Sequence, residues 1–468
     1  MSRVAVTTIA GLGMLLAALD IAVNVALPTM ANALDADLES IQWVIVVFIA
    51  TRASLVMGAG SFSDKFGLRT VYIFGAIAYL LSMICISLSP NLESVVGFRI
   101  LQALATGCLY AVSPAIAATV FPVEQRGLGM GFTAASQALG MLLGTLGAGF
   151  LVQALGWQWI FVGRIPFCVL ALVLGIVFLQ KQPKKTISAE AFDFKGAVAL
   201  VMGLMCLVIG LRLGRSIGWS SPMVIMLISL SPVFLGFLWI IEKQVTSPML
   251  PGTLVKLPAF SLSAIAMFLA HFSVFVIWFV FPFYIADILK QGPLVLGLML
   301  ATMALFNTCL SGLGGWLCDR FGSLDVGALG LVTLGAGLFL MGLLDQSHSP
   351  SDVVWRIGVV GMGLGLVQAG TYSLMMKGVP SHRLGIAGSS LSLAQALGTV
   401  MSVALVGTLF AWRINGQSAG SDSGMAGAES AFVTGYTEVF LLGCILSVAA
   451  ALGFYILGKI YLGNKDRY

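Results

Sequence analysis

The chain reads as long apolar runs separated by short polar breaks, almost without pause from Val4 to Tyr461. A bilayer core about 30 Å thick takes about 20 apolar residues per helix. By that measure fourteen runs qualify, near 4–28, 41–61, 70–89, 94–116, 128–153, 158–180, 194–213, 222–241, 259–285, 292–315, 326–344, 353–375, 384–411 and 432–458. Each predicts a membrane-spanning helix, because a backbone in hydrocarbon has to satisfy its own hydrogen bonds. The fold class is therefore expected to be an all-α integral membrane protein with 14 transmembrane helices. The first run, with Arg3 before it and Ala31-Asn32-Ala33 after it, has the outline of a signal peptide. It exceeds the roughly 7–15 residues of a signal core and carries Asp20 and Asn24, so it reads as the first span.

Composition removes other classes. Charged residues make up 9% of the chain and hydrophobic ones 59%, against about 25% charged in soluble domains. The seven cysteines are dispersed through apolar runs without CxxC spacing and read as reduced packing residues. No basic patch points to nucleic acid. No nucleotide-binding loop, metal-ligand cluster or nucleophile triad appears in the pattern, so neither an enzyme nor a cofactor is expected.

Charge then orients the runs. With the N-terminus inside, sixteen of the 24 Lys and Arg residues fall on the cytoplasmic side, as cytoplasmic loops prefer. An even count then puts both termini in the cytoplasm. Arg164 and Arg356 are among the residues assigned to outside ends, whereas Arg52 and Arg99 fall within runs.

The chain is also doubled. Gly60, Asp64, Lys65, Phe66 and Gly67 return as Gly315, Asp319, Arg320, Phe321 and Gly322, an offset of 255 with the same internal spacing. Phe98-Arg99-Ile100 returns as Trp355-Arg356-Ile357, and SQALG at 136–140 as AQALG at 394–398. An offset of eight helices predicts two six-helix bundles, 1–180 and 257–468, with a polar cytoplasmic linker at 181–193 and two inserted helices within 194–256. Parallel halves around a midplane site are a transporter architecture.

At these residues the chain resembles the major facilitator superfamily, in its fourteen-span drug:proton antiporter branch. The resemblance rests on LDIAVNVALP (19–28), Trp43 placed 21 residues before Asp64, GSFSDKFGLR (60–69), Arg99 with Gln102, Pro114, FPVEQRG (121–127) and GWQWIFVGRIP (156–166). The chain departs from the family pattern at Thr145, where proline is usual, at Ala103 for glycine, and at Arg164, where asparagine is more usual. The resemblance implies a multidrug efflux transporter of the plasma membrane, a bacterial inner membrane, working as a monomer. Its partners would be protons, the lipid bilayer and a hydrophobic or amphipathic small-molecule substrate.

Chemistry is expected from ionisable groups inside the runs, each costing at least about 2.5–3.5 kcal/mol near a helix centre. Asp20 and Asn24 share a helical face, so Asp20 could hold a proton or a cationic group. Arg52 in the second run could pair with Asp20, either as a structural ion pair or as a switch that frees Arg52 for an anionic substrate. Arg99, with Gln102 on the same face, takes a proton-transfer role from the resemblance, against a charge that snorkels to the outer interface. His271 titrates near neutrality and suits proton coupling, or packs as a hydrogen-bonded core histidine. Trp278, in the aromatic cluster Phe272–Tyr284, could line a substrate pocket or pack between helices. The loop motifs imply gating residues: Asp64, Arg69, Arg126, Asp319 and Arg320, with Asp64 latching to Arg126 or to the N-terminal end of span 13. The readings are thus a proton-coupled exporter working by alternating access, a carrier of an anionic metabolite or lipid-like substrate using Arg52, and a non-transporting receptor or scaffold.

Overall fold

A computed structural model describes residues 3–49, 51–52, 67–120, 126–180, 194–244, 252–379, 384–418 and 424–462. Among them all regular secondary structure is helical. The main helices are α1 (Arg3–Ala33), α2 (43–49), α3 (Leu68–Ser87), α4 (Leu92–Thr119), α5 (Arg126–Leu155), α6 (Trp159–Phe178), α7 (Phe194–Ser216) and α8 (Pro222–Gln244). They continue as α9 (Pro258–Ile288), α10 (Pro293–Phe321), α11 (Ser323–Gly342), α12 (Pro350–Gly378), α13 (Leu384–Ser418) and α14 (Gly424–Leu462).

Eleven described helices are long and apolar enough to cross a membrane, and each lies on a predicted run. The runs at 194–213 and 384–411 coincide with α7 and α13. The run at 41–61 opens as α2, and its remainder, with Asp64, lies outside the described residues. Large apolar side chains point away from the protein in numbers no soluble surface carries: on α8, Val233, Phe237 and Ile240 are more than half exposed. Lipid is the solvent that makes such a surface favourable.

The chain divides into two units, Met1–Met249 and Leu250–Tyr468. In the first, α1 packs along α4 and α5, α3 along α4 and α6, and α7 on α8. In the second, α9 packs along α13 and α14, and α11 along α12 and α14. The helix-to-helix pairings α1–α5 and α3–α4 of the first unit thus recur as α9–α13 and α11–α12 in the second.

The backbone repeats with the sequence. Gly67, before α3, has φ 85° and ψ 143°, and Gly322, before α11, has φ 96° and ψ 141°. That conformation is essentially closed to residues with a Cβ, which is why glycine ends both copies of the loop motif. Each leads directly into a 20-residue helix.

Two irregularities matter for chemistry. Helix α1 tightens into a 3-10 turn at Leu19–Ile21, the turn that carries Asp20. Glycines of α5 lie against it: a Cβ on Gly144 would meet Ile21 Cγ2 at 2.8 Å and Leu19 O at 3.3 Å. Helix α9 ends in a π-helical turn, Tyr284–Ile288. There Tyr284 stacks on Tyr436 (4.7 Å between ring centroids), Tyr436 packs on Phe440 (4.3 Å), and the Tyr284 hydroxyl donates to Asp345 O at 2.7 Å. The buried Tyr436 hydroxyl has no hydrogen-bond partner among the described residues. Tyr284→Phe is therefore expected to lower stability by about 0.5–1.5 kcal/mol, while Tyr436→Phe stays neutral or stabilises. Thermal unfolding of the two variants checks this; the opposite order would refute the bonding assigned here.

Candidate functional site

Among the described residues, the charged side chains in the buried class are Asp20, Arg99 and Arg164, and all three meet in one place in the first unit. Arg99 is 1% exposed, so it does not snorkel to an interface. Its Nη1 donates to Asp20 Oδ1 at 2.5 Å and its Nη2 to Asp20 Oδ2 at 3.1 Å, a two-pronged contact between planar groups. Nη1 also donates to Gln102 Oε1 at 2.7 Å, and Nε donates to Val44 O of α2 at 2.9 Å. Gln102 Nε2 donates to Asp20 Oδ1 at 2.8 Å, closing a three-membered ring of side chains from α1 and α4. The face of the Phe48 ring lies 4.0 Å from Arg99 Cζ, so α2 contributes a backbone oxygen and an aromatic surface.

Arg164 completes the cluster from α6. That helix is interrupted between Trp159–Val162 and Ile165–Phe178, where Pro166 sits in the first turn of the second segment, and Arg164 is the residue that caps this segment. The break turns Arg164 inward: it is 3% exposed, and its Nη1 lies 3.5 Å from Asp20 Oδ1. Nη1 also reaches Tyr79 Oη of α3 at 3.5 Å, while the Tyr79 hydroxyl itself donates to Leu16 O at 3.0 Å. Five helices, α1, α2, α3, α4 and α6, thus contribute to one cluster built around Asp20 and its two arginines.

The ion pair expected between Asp20 and Arg52 is replaced by Arg99 and Arg164. Arg52 is half-buried, with its guanidinium 5.4 Å from the Phe48 ring. The reason is geometric: Arg99 reaches both oxygens of Asp20, and both guanidinium groups lie near the Phe48 ring. Asn24 is buried but bonds within its own helix, its Nδ2 donating to Ile21 O at 3.2 Å, one turn back.

The remaining expected residues lie elsewhere. In the second unit, His271 Nδ1 is 3.1 Å from Met267 O of its own helix. Trp278 is buried with Phe275, Phe279, Phe281 and Phe283 in the packed part of α9. Asp319 pairs with Lys377 at 3.6 Å on an exposed face, and Arg320 lies over the Trp316 and Phe321 rings. In the first unit, Arg69 Nη2 donates to Ile176 O, tying the start of α3 to α6 at 2.9 Å. Arg126 begins α5, and its side chain, like all of Asp64, lies outside the described residues. The proposed latch between them is therefore neither assembled nor broken by what is described. Sequence reasoning missed Arg164, Tyr79, Phe48 and the Val44 carbonyl. Only Arg164 left a signal, as a cation inside GWQWIFVGRIP.

Long apolar helices in two repeated units, one of them holding a sealed ionic cluster, define a multi-pass membrane protein of the transporter class. The chain belongs to the Major Facilitator Superfamily, whose profile matches residues 9–196 and 263–466. It is similar to the uncharacterized transporter YebQ of Escherichia coli (strain K12), 30% identical over 404 residues covering 84% of this chain and 86% of that one. It is also similar to the multidrug resistance protein Stp of Mycobacterium tuberculosis (strain CDC 1551 / Oshkosh), 26% identical over 404 residues, with 86% and 74% covered. Among solved structures, a point mutant of the nucleoside transporter NupG shares the fold with a TM-score of 0.65 at 11% identity, covering 97% of this chain and 99% of that one.

Proposed function

We propose that this protein is a proton-coupled secondary transporter that exports small amphipathic or drug-like molecules by alternating access, exchanging them for protons. In this reading fourteen helices span a bacterial inner membrane, as six-helix bundles at 1–180 and 257–468 with two helices inserted within 194–256. Both termini are cytoplasmic. The observation that carries it is the Asp20 carboxylate, sealed inside a membrane helix and held by Arg99, Gln102 and Arg164. A carboxylate in such a place is kept for function by default. Its proton occupancy would change as the cluster opens to one side and then the other, and a substrate that needs the ionised form would leave when the proton arrives. The multidrug resistance relative supports the substrate class. In this proposal Asp20 and Arg99 carry the proton step, with His271, whose Nδ1 lies 3.1 Å from Met267 O, as a further proton-coupling residue in the second unit.

The test uses the full chain in proteoliposomes with an imposed pH gradient and a cationic dye such as ethidium. Wild-type uptake into acid-loaded vesicles should exceed uptake without a gradient by at least about tenfold, a driving force of roughly 1.4 kcal/mol per pH unit. Asp20→Asn should abolish the response to the gradient while retaining the helical circular dichroism. Uptake that ignores the gradient, or an Asp20→Asn variant that still responds to it, would overturn the proposal.

A further inference from the structure

The three buried charges of the cluster do not balance. One carboxylate, Asp20, faces two guanidinium groups, Arg99 and Arg164, and a third cation, Arg52, lies 5.4 Å from the Phe48 ring that also packs on Arg99. A buried charge with no counter-charge is among the costliest features a protein can retain.

The two buried arginines are also bonded unequally. Arg99 spends Nε, Nη1 and Nη2 on Val44 O, Gln102 Oε1 and both oxygens of Asp20, none farther than 3.1 Å. Arg164 has five N–H donors. Its contacts to Asp20 and Tyr79 are both at 3.5 Å, the far limit of a hydrogen bond, and its buried Nη2 has no partner among the described residues. The Tyr79 hydroxyl, which donates to Leu16 O, accepts from Arg164 Nη1 at that same 3.5 Å and leaves Nη2 unserved. The cluster therefore holds a spare donor and a spare positive charge on the same side chain.

We infer that this cluster also takes anionic amphipaths, with the guanidinium of Arg164 as the group that holds a sulfonate, carboxylate or phosphate head. One bound monoanion brings the buried set to two positive and two negative charges and supplies the acceptor that Arg164 Nη2 lacks. This goes beyond the export proposal and rests only on its reading of the cluster as a substrate site, not on proton exchange. It also sets the sense of coupling for this ligand class. A proton on Asp20 removes the competing negative charge, so an anion and a proton load together, whereas a cation and a proton exclude each other. The charged and titratable groups facing the site are Asp20 of α1, Arg52 of α2, Tyr79 of α3, Arg99 of α4 and Arg164 of α6.

The test compares two probes with one aromatic body and opposite heads, naphthalene-2-sulfonate and (naphthalen-2-ylmethyl)trimethylammonium. Binding is measured by equilibrium dialysis against the full chain in phosphatidylcholine nanodiscs. Wild type should bind the sulfonate. Arg164→Asn, which restores the residue more usual at this position, should weaken sulfonate binding about tenfold or more, the loss of one charge-assisted contact. Arg164→Lys, a charge-preserving second variant, should keep most of the affinity. Asp20→Asn, which removes the competing negative charge, should bind the sulfonate at least as tightly as wild type. Equal sulfonate binding by wild type and Arg164→Asn would overturn the inference, as would wild type binding only the ammonium probe. Complete displacement of the sulfonate by phosphatidylglycerol in the nanodisc would uphold the anion site and identify a lipid headgroup as its occupant. Sulfonate binding that depends on Arg164 in a protein that ignores a pH gradient would uphold this inference and remove the export proposal.

Discussion

Arg99→Ala is expected to cost the first unit about 3–5 kcal/mol, the usual consequence of removing one partner from a buried ion pair. The loss is more than one hydrogen bond. Arg99 is the only described residue that donates to both oxygens of Asp20, and it also reaches the Val44 carbonyl of α2 and the Gln102 amide. Without it, Asp20 keeps the amide of Gln102 and a 3.5 Å contact with Arg164, too little to compensate a carboxylate in a dry interior. The double variant Arg99→Met with Asp20→Leu removes both charges and keeps the volume, so it should recover most of the stability, as apolar replacement of buried pairs often does. It leaves Arg164 more nearly orphaned, so recovery should be incomplete until Arg164→Asn is added. The measurement is the thermal midpoint and the monodisperse fraction on size exclusion in one detergent. If the single and double variants fall equally, Arg99 is held by packing and not by Asp20. Transport should be absent from all of these variants, which separates the cost of folding from the requirement of function.

The same residues show what could be read from the chain and what could not. Helices were legible because hydrocarbon permits little else, and an apolar run has one outcome. Asp20 and Arg99 were legible as candidate site residues because an ionisable group inside an apolar run needs a reason to be there, and Gln102 because it shares a helical face with Arg99. Their pairing was not. Arg52 and Arg99 both lie inside runs, and which of them faces α1 depends on how α2 and α4 are rotated about their axes, a property of packing that no local pattern encodes. Arg164 was read as a charge at an outer end because the end of a run looks alike whether the side chain turns toward headgroups or inward. The break before Ile165 and the packing of α6 against α3 decide it. The Val44 carbonyl is a backbone atom, and every residue has one. The repeat, by contrast, was legible in full at Gly67 and Gly322, since a backbone conformation restricted to glycine leaves its mark in the sequence.

Gly140→Leu and Gly398→Leu are expected to disable the protein to a similar degree, each through its own unit. These glycines end the two copies of the SQALG/AQALG motif, and each lets one helix backbone rest on another. A Cβ on Gly140 of α5 would come within 2.6 Å of Leu15 O and 2.9 Å of Ala18 Cβ in α1. A Cβ on Gly398 of α13 would collide with Phe268 O of α9 and approach Phe272 N at 3.0 Å. The obstructing atoms are mostly backbone, so neither site can yield by a rotamer change, and the helices must move apart. Overpacking of this kind costs about 1–3 kcal/mol for small additions and more for a whole leucine. In a membrane, close approach through small residues is itself much of what holds helices together. Even alanine is therefore expected to lower the thermal midpoint at both positions, and leucine to prevent recovery of monodisperse protein. At Gly147 and Gly453, where an added Cβ meets nothing within 4 Å, alanine should be tolerated, and its smaller conformational freedom should favour the helix by about 0.5–1 kcal/mol. Thermal unfolding of the four alanine variants in one detergent makes the comparison. Gly140 has a further consequence, because Leu15 lies one turn before Asp20: pushing α1 away from α5 shifts the 3-10 turn that presents the carboxylate to Arg99. Gly140→Ala should thus reduce transport more than its loss of stability accounts for, whereas Gly398→Ala, far along the chain from that turn, should reduce the two in proportion.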